Sequence, residues 1–228
     1  MMYREFFKNA VQEAEGFLSK KISEKARIEF GEKWLEKKPI TSEEFLDFYE
    51  NESYIDELAD WHSRGTKIAS VHKVVKVLLG SGARKVLDYG GGIGSDALTY
   101  NSLGLEVDYF DVNKQSIAFA RWRFDKYGAK INVLSTQAEM GFYDVIVFTD
   151  VIGHVHDPFV FLKELSSHTN ALLFTIDLGV HDDEHGGQPQ HTDFSREDVF
   201  AYLRSLGFEK VKLPMAIPPQ FWVRKGSK

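Results

Sequence analysis

Three glycines at alternate positions, Gly90, Gly92 and Gly94, follow the short apolar run from Lys85 to Tyr89. A glycine turn after a strand lets the main chain come close to a bound ligand. The spacing is GxGxG. A dinucleotide loop needs GxGxxG, and Ser95 stands in its last place. Asp88 lies two residues before Gly90. A carboxylate there suits a ligand with ammonium and sulfonium charge and is awkward beside a pyrophosphate. A second acid, Asp111, ends the next apolar run nineteen residues after Gly92. It can accept hydrogen bonds from both hydroxyls of a ribose. An aspartate there could instead cap the next helix, but the glycine loop beside it favours the ribose.

Histidine titrates near neutrality and is the obvious proton acceptor. His154 and His156 follow the run from Tyr143 to Asp150. His154 reads either as a base or as a helix-entry residue bonded to backbone, and His156 is the second candidate. The stretch 181–191 holds His181, Asp182, Asp183, His185 and His191. Histidines with carboxylates can ligate a divalent metal, and His181, His185 and His191 form the alternative ligand set. No spacing among them matches a known site, so the expectation is a polar substrate loop without metal. Tyr54, Trp61 and His62 are candidates for the substrate pocket, where an aromatic face could stack on a ring or hold a methylammonium. They could equally be core residues. Residues 41–60 contain acids and no lysine or arginine. That pattern is a solvated helix face, or an acidic wall that favours a cationic substrate.

Two kinds of chain must position these residues. Residues 1–80 read as helical throughout. Phe6, Phe7, Ala10, Val11, Ala14, Phe17 and Leu18 recur at helical spacing. Pro39 stops the helix after them, and Thr41-Ser42-Glu43-Glu44 offers a capping box for another. Ile68, Val71, Val74, Val75, Leu78 and Leu79 mark a helix that Gly80 and Gly82 end. From residue 81 strands and helices alternate: strands at 85–90, 106–111, 131–135, 143–150 and 170–177, then two closing strands at VKLP (211–214) and QFWVRK (220–225). Helices fall at about 94–102, 113–127, 158–167 and 195–206. Alternation of this kind predicts a parallel doubly wound α/β sheet with ligands at the carboxyl ends of its strands. The expected division is a helical extension or lid over 1–80 and a ligand-binding domain over 81–228.

The 228 residues carry a formal charge of -6, are 43% hydrophobic and include no cysteine. A core of useful size is affordable, and disulfides, thiolate metal sites and cysteine nucleophiles are excluded. The acidic balance argues against a nucleic-acid partner. No stretch reaches the length of a membrane span, and the N-terminus has no apolar signal core, so a cytoplasmic protein is expected.

VLDYGGGIGSDAL resembles the first motif of class I S-adenosylmethionine methyltransferases. YDVIVFTDVIGHVHDPFVFLKEL is similar to that superfamily's fourth strand and following helix, and HTDFSREDVFAYLRSLGFEKV to its last helix. The resemblance covers roughly residues 66–228 and is nearest to members acting on ubiquinone and menaquinone precursors. It implies a Rossmann-like, seven-stranded, mostly parallel sheet and S-adenosyl-L-methionine as cofactor. By position, Gly90, Gly91 and Gly92 would lie against the methionine part. Asp88 would support that loop and the cofactor's amino group. Asp111 would hold the ribose, Val112 would pack on the adenine, and Gln137 and Ala138 would face its edge. Thr149 and Asp150 would border the methionine and the methyl group. His154, Asp150 and His191 are then the catalytic candidates, and Tyr54, Trp61, His62, His181 and His185 the substrate-side ones. Gln137 departs from the family's usual aspartate, and Gly153-His154 from its usual glutamate-histidine. The expected activity is methyl transfer to a small-molecule acceptor, oxygen before nitrogen. A nicotinamide-dependent oxidoreductase and a non-catalytic cofactor-binding module are the rivals. A homodimer is left open.

Overall fold

A computed structural model describes residues 3–176 and 194–227 of the chain. His181, His185 and His191 lie outside the described residues. So does Asp177, the last residue of the expected fifth strand.

Seven strands form one sheet in the order β3-β2-β1-β4-β5-β7-β6. They are β1 (Lys85–Tyr89), β2 (Glu106–Phe110), β3 (Ile131–Val133), β4 (Val145–Phe148), β5 (Ala171–Phe174), β6 (Phe208–Lys210) and β7 (Gln220–Arg224). The first five pair in parallel, and β7 runs antiparallel to both β5 and β6. The order reverses at β1, which pairs with β2 on one side and β4 on the other. That switch point opens a crevice at the carboxyl ends of β1 and β4, where ligands of doubly wound sheets bind. Every residue of β4 and β5 is buried, as strands covered on both faces require.

The closing hairpin corrects one expectation. VKLP is not a strand. The sixth strand starts earlier, at Phe208, directly after Gly207. Val211 N still donates to Phe221 O, but the chain then leaves the ladder. Pro214, Pro218 and Pro219 have no N–H to offer it.

The helices before the sheet are α1 (Arg4–Lys8), α2 (Ala10–Leu18), α3 (Ala26–Lys37), α4 (Ser42–Asn51), α5 (Ile55–Ser63) and α6 (Gly65–Ser81). Those within it are α7 (Ser95–Ser102), α8 (Lys114–Tyr127), α9 (Pro158–Leu165) and α10 (Arg196–Ser205). Their ends follow local chemistry. Thr41 closes both halves of the capping box with Glu44 at the start of α4. Gly82 ends α6 in the left-handed region, with φ 75°. Asn113, Asp157 and Ser195 cap α8, α9 and α10 by accepting main-chain N–H bonds.

The first eighty residues pack in two ways. Phe6 and Phe7 of α1 and the valines of α6 join the core that α7 and α8 form on one face of the sheet. α9 and α10 cover the other face around Trp222, Phe148 and Phe174. α2 and α5 meet in a separate cluster with Ile93 and Phe119. α3 and α4 form a further cluster, Phe30, Trp34 and Phe48, with Trp34 edge to face on Phe48. None of the described helices is long and apolar enough to cross a membrane.

Candidate active site

A cavity of about 550 Å³ opens at the carboxyl ends of β1 and β4. Its floor is the glycine turn after β1 and the segment after β4, and α3, α4 and α5 wall it from above. The turn needs its glycines. Gly90 and Gly92 have φ of 67° and 51°, where L side chains are strained. A Cβ at Gly90 would stand 2.5 Å from Val151, one at Gly91 2.6 Å from the Tyr109 ring, and one at Gly92 2.9 Å from Leu58. The result is a turn of bare main chain, packed so closely that a side chain at any of the three positions would collide with these neighbours. Gly90 N and Gly91 N are spent on Phe110 O, which fixes the turn to β2.

Asp111 stands beside the cradle. Its Oδ2 accepts Gly92 N at 2.8 Å. Its Oδ1 accepts Asn113 N at 2.8 Å and the Tyr54 hydroxyl at 3.3 Å. Burial raises the Asp111 pKa above the usual aspartate value, against the pull of these N–H groups. Asn113 also donates its side-chain amide to the carbonyls of Tyr49 and Glu52, both at 2.8 Å. The α4–α5 connection is thereby pinned next to Asp111.

α5 lies along the cavity. Tyr54 meets Asp111, Leu58 covers Gly92, and Trp61 Nε1 donates to Asp150 Oδ2 at 3.4 Å. These positions are four and three residues apart and share one helix face.

Asp150 ends the β4 segment with φ 59°. Its main-chain N–H donates to Thr175 Oγ1, and its Oδ1 accepts the same hydroxyl, each at 2.9 Å. Beneath it sits Lys67 of α6, whose Nζ is 3.2 Å from Asp96 Oδ2, 3.2 Å from Asp150 Oδ2 and 3.1 Å from Thr149 Oγ1. Burial pushes the Lys67 pKa down, but Asp96 and Asp150 outweigh it and leave the ammonium more basic than an ordinary lysine. Burial likewise opposes charge on Asp150, yet Lys67, Thr175 and Trp61 hold its pKa below the usual value. A carboxylate so satisfied positions its neighbours and is a poor proton acceptor.

Most of the expected site residues come together here. Gly90, Gly91, Gly92, Asp111, Val112, Gln137, Thr149, Asp150, His154, Tyr54, Trp61 and His62 all line the cavity. Gln137 donates from Nε2 to the Tyr89 hydroxyl. Two residues do not reach it. Asp88 is buried beneath the turn, with Oδ2 only 2.8 Å from where a Gly91 Cβ would be. Burial, then the neighbouring Asp96, pushes its carboxyl well above the usual range. It props the loop from behind and offers no surface to a ligand's ammonium. Ala138 is exposed on the single 3₁₀ turn after β3, outside the cavity.

The histidines differ from one another. His156 is a tie: its Nδ1 pairs with Ser42 Oγ at 2.8 Å and its Nε2 with Ile40 O at 2.9 Å, which fastens α4 to the segment after β4. His154 lies on a 3₁₀ turn, its Nδ1 3.0 Å from the Tyr49 hydroxyl. His62 is buried against Phe7, ring centroids 5.9 Å apart. Burial, Lys67 and Arg123 hold its pKa well below that of a free imidazole, so it stays neutral. Among the described residues no cluster of three or more histidines and acids could hold a metal.

Sequence reasoning missed Lys67, Asp96 and Tyr49. Lys67 interrupts the apolar pattern at the start of α6, and a lysine facing inward on a buried helix was the available signal.

Residues 44–211 match the methyltransferase-domain family. The chain belongs to that family. The matched span runs from α4 to the end of β6, so it includes α5 on the cavity wall and six of the seven strands. Membership decides against the nicotinamide enzyme. No curated protein sequence matches significantly. Solved structures agree on the fold. The magnesium protoporphyrin IX methyltransferase of Synechocystis PCC 6803, with SAH bound, superposes with TM-score 0.59 at 17% identity, covering 85% of this chain and all of that one (100%). An S-adenosylmethionine-dependent methyltransferase from Clostridium acetobutylicum ATCC 824 gives 0.58 at 11% identity, covering 76% and 100%. TehB of Haemophilus influenzae gives 0.52 at 21%, covering 68% and 62%. The expected seven-stranded, mostly parallel, Rossmann-like architecture of the methyltransferase domain is thus the observed one.

Proposed function

We propose that this methyltransferase-domain protein takes S-adenosyl-L-methionine as donor and methylates a small molecule. The observation that carries the reading is the bare glycine cradle with Asp111 beside it. Gly90, Gly91 and Gly92 would receive the methionine part, Asp111 the ribose, and Val112 and Gln137 the adenine. Thr149 and Asp150 would border the methyl group. Asp88 acts only through the loop it supports. When bound, the cofactor supplies a methyl group already activated by positive sulfur. The protein has to align the acceptor, exclude water and receive any proton the acceptor loses. The helices α3–α5 serve as the lid that does the excluding.

The acceptor lies under α4 and α5, against Tyr49, Tyr54 and Trp61. A small ring-bearing molecule fits those walls, as the likeness to quinone-precursor enzymes suggests. Oxygen and nitrogen acceptors both remain within this reading. The histidines that favoured oxygen are partly spent, His156 on α4 and His154 Nδ1 on Tyr49.

Isothermal titration with S-adenosylmethionine and its demethylated product SAH tests the proposal. Wild type should bind both, and Asp111→Ala should weaken each by about ten-fold or more, the worth of a lost charge-assisted hydrogen bond. A wild-type protein that binds neither would sink it.

A further inference from the structure

Tyr54, Leu58 and Trp61 of the α5 face each touch the cavity floor. Glu57 belongs to the same face, three residues after Tyr54 and four before Trp61, and also lines the cavity. It differs from its neighbours in having no hydrogen-bond partner among the described residues. The floor carboxylates each have donors: Asp96 Oδ2 and Asp150 Oδ2 from Lys67, Asp111 from Gly92 N and Asn113 N. Asp60 accepts Arg64 on the far turn of α5. The charges that bear on Glu57 are Arg27 of α3, Asp60 and Arg64 of α5, and Asp150 below.

The geometry points to Glu57 as the carboxylate that binds the methyl acceptor, and to an amine as the acceptor's reacting group. The inference rests on the methyl-transfer reading above and adds the acceptor to it. A carboxylate on a cavity wall, half-buried and without donors, calls for a partner, and an ammonium answers it with charge and three N–H donors, where an alcohol brings one neutral donor. Trp61 and Tyr49 present aromatic surface on the same cavity, which attracts a cation further. Carboxylates also outnumber lysine and arginine side chains along the described walls.

The chemistry balances. Glu57 takes one proton from the bound ammonium and becomes a neutral acid. The freed nitrogen lone pair forms the new C–N bond to the methyl carbon. The sulfur–carbon bond breaks as it forms, and its electron pair stays on sulfur. The product leaves as the methylated ammonium. Burial pushes the Glu57 carboxyl up to about 7, so at neutral pH it can both hold and release that proton.

The test uses the full chain saturated with SAH and three small ring-bearing probes: the isosteric pair benzylamine and benzyl alcohol, and the anion benzoate. Calorimetry should show benzylamine binding about ten-fold tighter than benzyl alcohol, with Glu57→Gln removing that preference. SAH affinity of Glu57→Gln should stay within about two-fold of wild type, which shows that the variant is folded. Equal binding of amine and alcohol, tighter binding of benzoate, no binding of benzylamine, or an unchanged preference in Glu57→Gln overturns the assignment while leaving the methyl-transfer reading intact. Failure of the wild type to bind SAH removes both.

Discussion

Arg123 of α8 and Glu13 of α2 form a fully buried ion pair, Nε to Oε2 2.8 Å. The same guanidinium donates from Nη1 to Ile93 O at 2.7 Å and Ser95 Oγ at 2.8 Å, and from Nη2 to Phe6 O. One arginine therefore joins α1 and α2 to the end of the glycine turn. Burial opposes charge on Glu13, but Arg123, Lys126 and Tyr127 keep its pKa below the usual glutamate value.

Glu13→Ala strands that guanidinium. Breaking a buried pair from one side costs about 3–5 kcal/mol. For a chain of this size that is a fall in Tm of roughly 2–4 °C per kcal/mol, measurable by differential scanning calorimetry. An unchanged Tm would show that the pair does not hold the helices to the loop.

The cradle makes a paired prediction. Gly90 and Gly104 have φ of 67° and 87°, but a Cβ would meet Val151 at Gly90 and nothing within 4 Å at Gly104. Gly90→Ala and Gly104→Ala both carry the left-handed cost of about 1–2 kcal/mol. Only Gly90→Ala should also abolish SAH binding in calorimetry. Equal binding by the two variants would mean that close main-chain approach is not what the turn provides.

Glu57 gives stability a pH dependence of definite sign. Its folded pKa, about 7, is above the usual glutamate value of 4.5, so the folded state binds its proton more tightly than the unfolded one. The unfavourable contribution is complete above pH 7 and disappears as pH falls below the unfolded value. Glu57→Gln should therefore be more stable than wild type at pH 8. The gain should shrink through pH 7 and vanish near pH 4, as seen in urea midpoints at each pH. A gain that does not change with pH contradicts a raised pKa for this carboxylate.

The strands, the glycine turn and Asp111 were legible because their signals are local. An apolar run, a glycine spacing and an acid at a strand end each need only a few adjacent residues. The α4 cap and the Gly82 stop were legible for the same reason. What could not be read is which side of the turn Asp88 faces. Strand periodicity alternates faces but does not say that the floor is main chain and the carboxylate lies behind it. Lys67 escaped because its partners Asp96, Thr149 and Asp150 lie 29, 82 and 83 residues away in the chain. His154 and His156 look interchangeable in sequence. Only α4, arriving from more than a hundred residues earlier, tells them apart: His156 bonds Ser42 and Ile40 O, while His154 meets Tyr49 through Nδ1. VKLP misled because its apolar residues suit a strand, while pairing with β7 ends at Val211, the first of them.

α5 contacts the acid beside the cradle at its first turn and the end of β4 at its last, about 10 Å apart at the rise of an α-helix. Glu57 and Leu58 sit between those anchors. On the proposed reading the helix is a single beam with the donor at one end and the acceptor wall along its length. Any tilt that widens room for a new acceptor also moves Tyr54 off Asp111 and Leu58 off Gly92. Selectivity and donor grip cannot drift independently here. Redesign of one through α5 must be compensated in the other.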